Sequence, residues 1–247
     1  MMEAADARNQ PSVANRAANS ILAALREDAY ACHMASRAHI LGVVLAGGMS
    51  RRFGGGDKGL ADLGGRPVLS HVVARLGPQV ARLILNVNGD ASRFARFDLP
   101  TISDVENPGL GPLSGILAAL DWQKVHAPDC VAIATVSADV PFIPTDLVAR
   151  LDATRGEGLA IAVSGGRRHP TTALWPTSAR DVVASALARR DLSVNALTQR
   201  LNAVAVEFPM RNIGDASIDP FFNINTQDDL AIASNLLGEP EKDKNNG

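Results

Sequence analysis

The stretch Ile40-Leu-Gly-Val-Val-Leu-Ala-Gly-Gly-Met-Ser-Arg-Arg-Phe-Gly-Gly-Gly-Asp-Lys-Gly-Leu60 decides how the rest of the chain is read. It begins with ILGVVLA, a continuous apolar run of the kind found in strands buried on both faces. A glycine-rich loop follows at once. Outward from it, apolar strands alternate with helices. Pro67 to Leu76 reads as a helix with Pro in its first turn and Gly77 after its last. Leu83 to Val87 is a second strand and Thr101 to Ser103 a short third. Ile116 to Val125 is helical, Cys130 to Val136 is another buried strand, and Pro144 to Ala153 is helical again. Leu159 to Val163 and Thr172 to Trp175 flank Gly165-Gly166 as a hairpin. Helices are expected near Ser178 to Arg189 and Ser193 to Leu201, with short strands over Val204 to Phe208 and Phe221 to Ile224. Thr226 can cap a last helix. The pattern predicts an α/β fold, a three-layer α/β/α sandwich whose mostly parallel, mixed sheet carries helices on both faces.

The core so defined runs over 40–237, a single domain of ordinary size. Residues 1–39 read as a flexible N-terminal extension, with one weak helix over Ala18 to Tyr30. Glu3 and Asp6 spoil a basic leader, and Met34 offers an alternative start. The charged segment 238–247 reads as a disordered tail. Apolar residues make up 46% and charged residues 20% of the 247, which excludes wholesale disorder. With Lys and Arg numbering 24 against 26 Asp and Glu, and aromatics at 4%, nothing favours a nucleic-acid polymer or an acidic membrane as partner. No apolar run approaches the roughly 18 residues of a spanning helix. Cys32 and Cys130 cannot build a disulfide framework, which points to a reducing, cytoplasmic setting.

The loop after the first strand suits phosphate. Its glycines let the main chain approach a ligand, successive N–H groups can cradle oxygens, and Arg51, Arg52 and Lys58 add positive charge. A solvated surface loop is the bland alternative. A Walker loop is excluded, because Lys58 lies between Asp57 and Gly59. A dinucleotide-binding turn is excluded too, because Gly47-Gly48-Met49 lacks the G-x-G-x-x-G spacing. Asp139 follows the apolar strand CVAIATV and Asp104 follows the short TIS strand. Both should sit at strand ends on the edge that carries the glycine loop. His33, His39, His71 and His126 show no zinc spacing.

The run L-A-G-G-x-S-x-R-x-G followed by Lys58 resembles the signature of nucleotidyltransferases, with their Rossmann-like fold. Asp57-Lys58-Gly59, Gly111-Pro-Leu-Ser-Gly115, Asp139-Val-Pro-Phe-Ile-Pro144, His169-Pro-Thr171 and Asn223-Ile-Asn-Thr226 narrow the resemblance to the molybdenum cofactor guanylyltransferases. That resemblance implies transfer of GMP from GTP to the terminal phosphate of the molybdopterin cofactor, releasing pyrophosphate. It implies that Lys58 and Asp139 are catalytic and that Asp139 binds Mg²⁺, with Mn²⁺ suited to the same oxygen ligands. It also implies nucleotide contacts from Leu45, Ala46, Gly47, Lys58, Asn86, Asp104 and Asp139, and nucleoside binding over Gly109 to Gly115. His169, Thr171, Asn223 and Asn225 would face the pterin. Val140 departs from the threonine common after the metal-binding aspartate, which removes a hydroxyl but no ligand.

Three alternatives remain open from the residues alone: cytidylyl transfer to the same pterin, nucleotidyl transfer to a sugar phosphate, and a non-catalytic nucleotide or cofactor carrier. Asn88-Gly89-Asp90 reads simply as a turn. No segment identifies a surface for transient contact with cofactor-synthesis proteins.

Overall fold

The computed structural model describes residues 39–47, 57–104, 109–213 and 216–237. The expected extension up to residue 38, the loop residues 48–56 with Arg51 and Arg52, and the tail 238–247 lie outside the described residues. In chain order the elements are β1 (Ile40–Leu45), β2 (Asp62–Leu63), β3 (Arg66–Pro67), α1 (Val68–Leu76), β4 (Arg82–Asn86), β5 (Thr101–Ile102) and α2 (Pro112–His126). They continue with β6 (Ala132–Ser137), α3 (Leu147–Arg155), β7 (Ala160–Ser164), β8 (Arg167–Pro176), α4 (Arg180–Ala188), α5 (Val194–Arg200), β9 (Val204–Glu207), β10 (Arg211–Ile213), β11 (Ala216–Ile218) and α6 (Gln227–Leu237).

The main sheet has the order β5-β4-β1-β6-β8-β7-β9. β5, β4, β1 and β6 run parallel, β8 runs against both β6 and β7, and β9 runs parallel to β7. Side chains along β1 alternate between two cores, as period-2 geometry requires. Ile40 and Val44 join α1 and α3 through Leu69, Val72, Leu76, Leu147 and Leu151 on one face. Leu41 and Val43 join α2, α4 and α5 through Ile116, Leu120, Val183 and Leu197 on the other. A third cluster holds α6 through Leu236 and Ala233 against Leu63, Val68, Phe142 and Ile224. The expected mixed, three-layer α/β/α sandwich is the observed one.

Register then sets the working edge. Leu45 pairs with Asn86 on one side and Ser137 on the other, and Asn86 pairs with Ile102. The C-terminal ends of four parallel strands therefore lie side by side, the position where open α/β sheets bind ligands.

Several boundaries differ from the sequence reading. The helix expected from Pro144 starts at Leu147. Leu147 N–H first closes a turn on Pro144 O, and Val148 N–H is met by the buried Gln79 Oε1 at 2.9 Å. A residue from the end of the α1 region thus completes this helix start. Phe221 to Ile224 is not a strand. Phe221 and Ile224 are fully buried, but the backbone serves single loop bonds, Phe222 N–H to Asp219 O and Ile224 N–H to Asp139 O. The strand pair near there is instead β10 with β11. The last helix begins as expected. Thr226 Oγ1 accepts from Asp229 N–H at 3.1 Å, while Asp229 Oδ2 accepts from Thr226 N–H, a reciprocal cap.

Candidate active site

A cavity of about 910 Å³ opens over this edge. Leu45, Ala46 and Gly47 line it where β1 ends. Ala46 N–H donates to Asn86 O at 2.8 Å, and Ala138 N–H to Leu45 O at 3.1 Å, so the strand ends stay paired up to the cavity wall. Gly47 has a steric reason to lack a side chain: a Cβ there would fall 2.6 Å from Asn88 Nδ2. Asn88, read from sequence as a turn residue, lines the cavity and donates its amide to Gly47 O at 3.4 Å.

On the β4–β5 side of β1 the cavity is bounded by Asn86, Asp104 and the start of α2. Asn86 ends β4, and Asp104 lies two residues past β5; both are buried and both line the cavity. Among the described residues, Asn86 Nδ2 and Asp104 Oδ1 are buried without a hydrogen-bond partner. Orphaned buried polar atoms cost about 1–3 kcal/mol each, and a ligand that bonds them recovers that cost. Gly109, Gly111 and Pro112 complete this end. Gly111 adopts φ +84, a conformation that glycine tolerates, and Pro112 occupies the first turn of α2.

The charged end gathers Lys58, Asp139, Asn223 and Asn225. A 3-10 turn over Lys58–Leu60 carries Lys58. Its Nζ lies 3.7 Å from Asp139 Oδ2 and donates to Asn225 Oδ1 at 2.6 Å. Asn223 Nδ2 donates to Asp139 Oδ1 at 3.4 Å. Burial pushes the Asp139 carboxyl above its ordinary range, and Lys58 pulls it back. A desolvated carboxylate beside one lysine is a site that can take further positive charge. Among the described residues no three His, Cys, Asp or Glu gather as a metal cluster. A divalent ion on Asp139 would draw its other ligands from water and phosphate, the usual habit of Mg²⁺. Neighbouring Asp57 pairs with Arg93 at 2.5 Å, tying the far end of the glycine loop to a 3-10 helix over Ala91–Phe97.

All seven residues expected at the nucleotide therefore line one cavity. Of the four expected at the acceptor, Thr171 and Asn223 line it too. Asn225 is committed to Lys58 instead. His169 does not line the cavity; it sits in the β7–β8 hairpin opposite Ala162, its Nε2 at 2.7 Å from Ser164 Oγ. Sequence reading missed Asn88, Phe94, Ser103 and the Asp57–Arg93 pair. Asn88 carried a usable signal, two residues past a strand-end asparagine. Arg93 carried none, since its partner lies across the fold.

The model of the family described as "MobA-like NTP transferase domain" matches residues 42–204. A molybdenum cofactor guanylyltransferase of Mesorhizobium japonicum is 48% identical over 205 residues, covering 81% of this chain and 97% of that protein. Another, from Bradyrhizobium sp., is 44% identical over 207 residues, covering 82% and 95%. Among solved structures, molybdopterin-guanine dinucleotide biosynthesis protein A from Archaeoglobus fulgidus superposes with a TM-score of 0.61 at 23% identity, covering 81% of this chain and 98% of that one. A 4-diphosphocytidyl-2C-methyl-D-erythritol synthase from Anaerococcus prevotii gives 0.59 at 13% identity, covering 81% and 96%. These two structural likenesses speak to the fold alone, a nucleotidyltransferase fold that proteins named for different bases share. With the family's model covering most of the sheet and relatives this similar along nearly their whole length, the chain belongs to the MobA-like NTP transferase family.

Proposed function

We propose that this chain is a molybdenum cofactor guanylyltransferase, transferring GMP from GTP to the terminal phosphate of the molybdopterin cofactor. A new bond joins the acceptor phosphate oxygen to the α-phosphorus, and the bond to the β-phosphate oxygen breaks to release pyrophosphate. The observation that carries this reading is the division of one cavity into two ends. One holds orphaned polar atoms of Asn86 and Asp104, and the other holds Lys58 beside Asp139.

In this reading Asn86 and Asp104 take the nucleoside, and the main chain of Leu45, Ala46 and Gly47 lies against the nucleotide. Lys58 Nζ balances phosphate charge as a point cation. Asp139 would hold Mg²⁺, or Mn²⁺, whose charge when bound offsets that of the phosphate oxygens. No protein base is required, because a phosphate monoester is largely ionised at neutral pH. The chain's contribution is positioning and charge. The core 40–237 acts as one nucleotidyltransferase domain, with 1–39 and 238–247 as appendages, in the cytoplasm. Among the described residues no helix is long and apolar enough to cross a membrane.

The test compares GTP with CTP, using the pterin cofactor as acceptor and pyrophosphate release as readout. GTP should be preferred. Preference for CTP would reject the guanylyl assignment, and GTP binding without pyrophosphate release would make the protein a carrier.

A further inference from the structure

Three polar side chains outside the cavity are packed together. Ser164 ends β7, His169 lies on β8, and Asp219 follows β11. Ser164 and His169 are buried, at 2% and 6% exposure. Ser164 Oγ lies 2.6 Å from Asp219 Oδ1 and 2.7 Å from His169 Nε2. His169 Nε2 lies 3.6 Å from Asp219 Oδ2. The same Oδ1 accepts Phe221 N–H at 2.8 Å, and the His169 ring packs on Phe221 with centroids 4.7 Å apart.

The proton inventory fixes the direction of this chain. Asp219 Oδ1 is an acceptor, so the single hydroxyl proton of Ser164 goes to it. The bond between Ser164 Oγ and His169 then needs a proton on Nε2. The sequence of donors is His169 Nε2–H to Ser164 Oγ–H to Asp219 Oδ1, and a neutral imidazole completes it.

What the cluster holds is the segment that follows. Four residues past Asp219, Asn223 bonds Asp139, Ile224 N–H bonds Asp139 O, and Asn225 bonds Lys58. We propose that Asp219 is a positioning residue. Anchored by Ser164 and His169, it fixes the loop that seats Asn223 on Asp139 and Asn225 on Lys58. His169 thus serves the site through Asp219 and not by touching the acceptor. The structural arm of this proposal stands on geometry; only its activity arm rests on the transfer reaction proposed above.

The structural arm is ¹⁵N imidazole NMR of the full chain at neutral pH. His169 should appear as the Nε2–H tautomer, and Ser164→Ala should shift its signals. An Nδ1–H tautomer would overturn the proposal. The activity arm measures variants against the wild-type rate. Ser164→Ala and Asp219→Ala should each lower kcat roughly tenfold, since small misplacements of reacting groups are costly. KM for GTP should stay within about twofold, and the double variant should be no worse than the poorer single one. His169→Gln can bring an amide N–H to the Nε2 position and should keep the rate within about twofold. Asp219→Asn keeps the Oδ1 acceptor and should fall between wild type and Asp219→Ala, which guards against a simple folding defect. Additive losses in the double variant would overturn the proposal. So would a His169→Gln protein as impaired as His169→Ala, because the imidazole would then be acting on the acceptor directly. Should the wild type release no pyrophosphate, the transfer reading fails, while the NMR arm still judges the anchor.

Discussion

Gly115→Ala is the most discriminating single change at the nucleoside end. Gly115 is the fourth residue of α2 and is fully packed. A Cβ there would lie 2.8 Å from Asn86 Cγ and 3.1 Å from Leu45 Cδ2. Asn86 is only 3% exposed, so its amide cannot swing into solvent to make room. It must rotate off its present position and withdraw its polar atoms from the cavity. A hydrogen bond to a buried partner is worth about 1–3 kcal/mol, and about 1.4 kcal/mol is tenfold in affinity. KM for GTP should therefore rise roughly tenfold. The turnover number should change little, because Lys58 and Asp139 stand at the other end of the cavity. Overpacking costs about 1–3 kcal/mol, partly offset by the gain of about 1 kcal/mol for alanine over glycine in a helix. A net loss of up to about 2 kcal/mol should lower Tm by a few degrees in a chain of this size. The assay is steady-state pyrophosphate release over a GTP titration, with Asn86→Ala and the double variant beside it. If Asn86 transmits the effect, the double variant binds GTP no worse than Asn86→Ala alone. An unchanged KM in Gly115→Ala, or full additivity in the pair, would refute the reasoning.

Asp139→Asn keeps the shape of the side chain and an acceptor for Asn223, so the fold should survive while turnover falls about a thousandfold. Near-normal turnover in Mg²⁺ would remove Asp139 from the mechanism. Lys58→Gln should cost about a hundredfold in turnover and leave the circular dichroism spectrum unchanged; a loss under threefold would argue that its charge is not used. His169 gives a pH-dependent stability. Burial first, and then Arg167, push its imidazole below the ordinary 6.5, against the opposing pull of Asp219 and Glu207. Between that lowered value and 6.5 the unfolded chain binds more protons, so stability rises with pH across the window and is lost as pH falls through it. Urea midpoints measured over this window should drop more steeply for wild type than for His169→Gln. Parallel curves would show that His169 does not supply the linkage.

The lining of the cavity was legible where residues trail strand ends. Asp139 and Asp104 were found because each trails an apolar run, and residues that trail parallel strands must emerge at one edge. Lys58 was found because a glycine-rich loop leaves the same edge. A histidine before a proline has no local signal for the direction it faces, so only resemblance set His169 at the acceptor. Its register opposite Ala162 turned it toward Ser164. Phe221 to Ile224 was read as a strand because burial and apolarity look alike in a strand and in a loop that plugs a core.

The sequence by itself determined the alternation of elements, the two-faced burial of β1 and the place of the glycine loop. These follow from side-chain periodicity and backbone preference, which act over a few neighbouring residues. Only the tertiary structure decided that Asn225 meets Lys58 across 167 positions, that Gln79 completes the start of α3 across 69, and that Asp219 joins Ser164 across 55. Such pairings arise when distant segments are packed against one sheet. Hydrogen bonds between polar groups are chosen there by which groups burial leaves in need of a partner, a condition that no local stretch of chain contains.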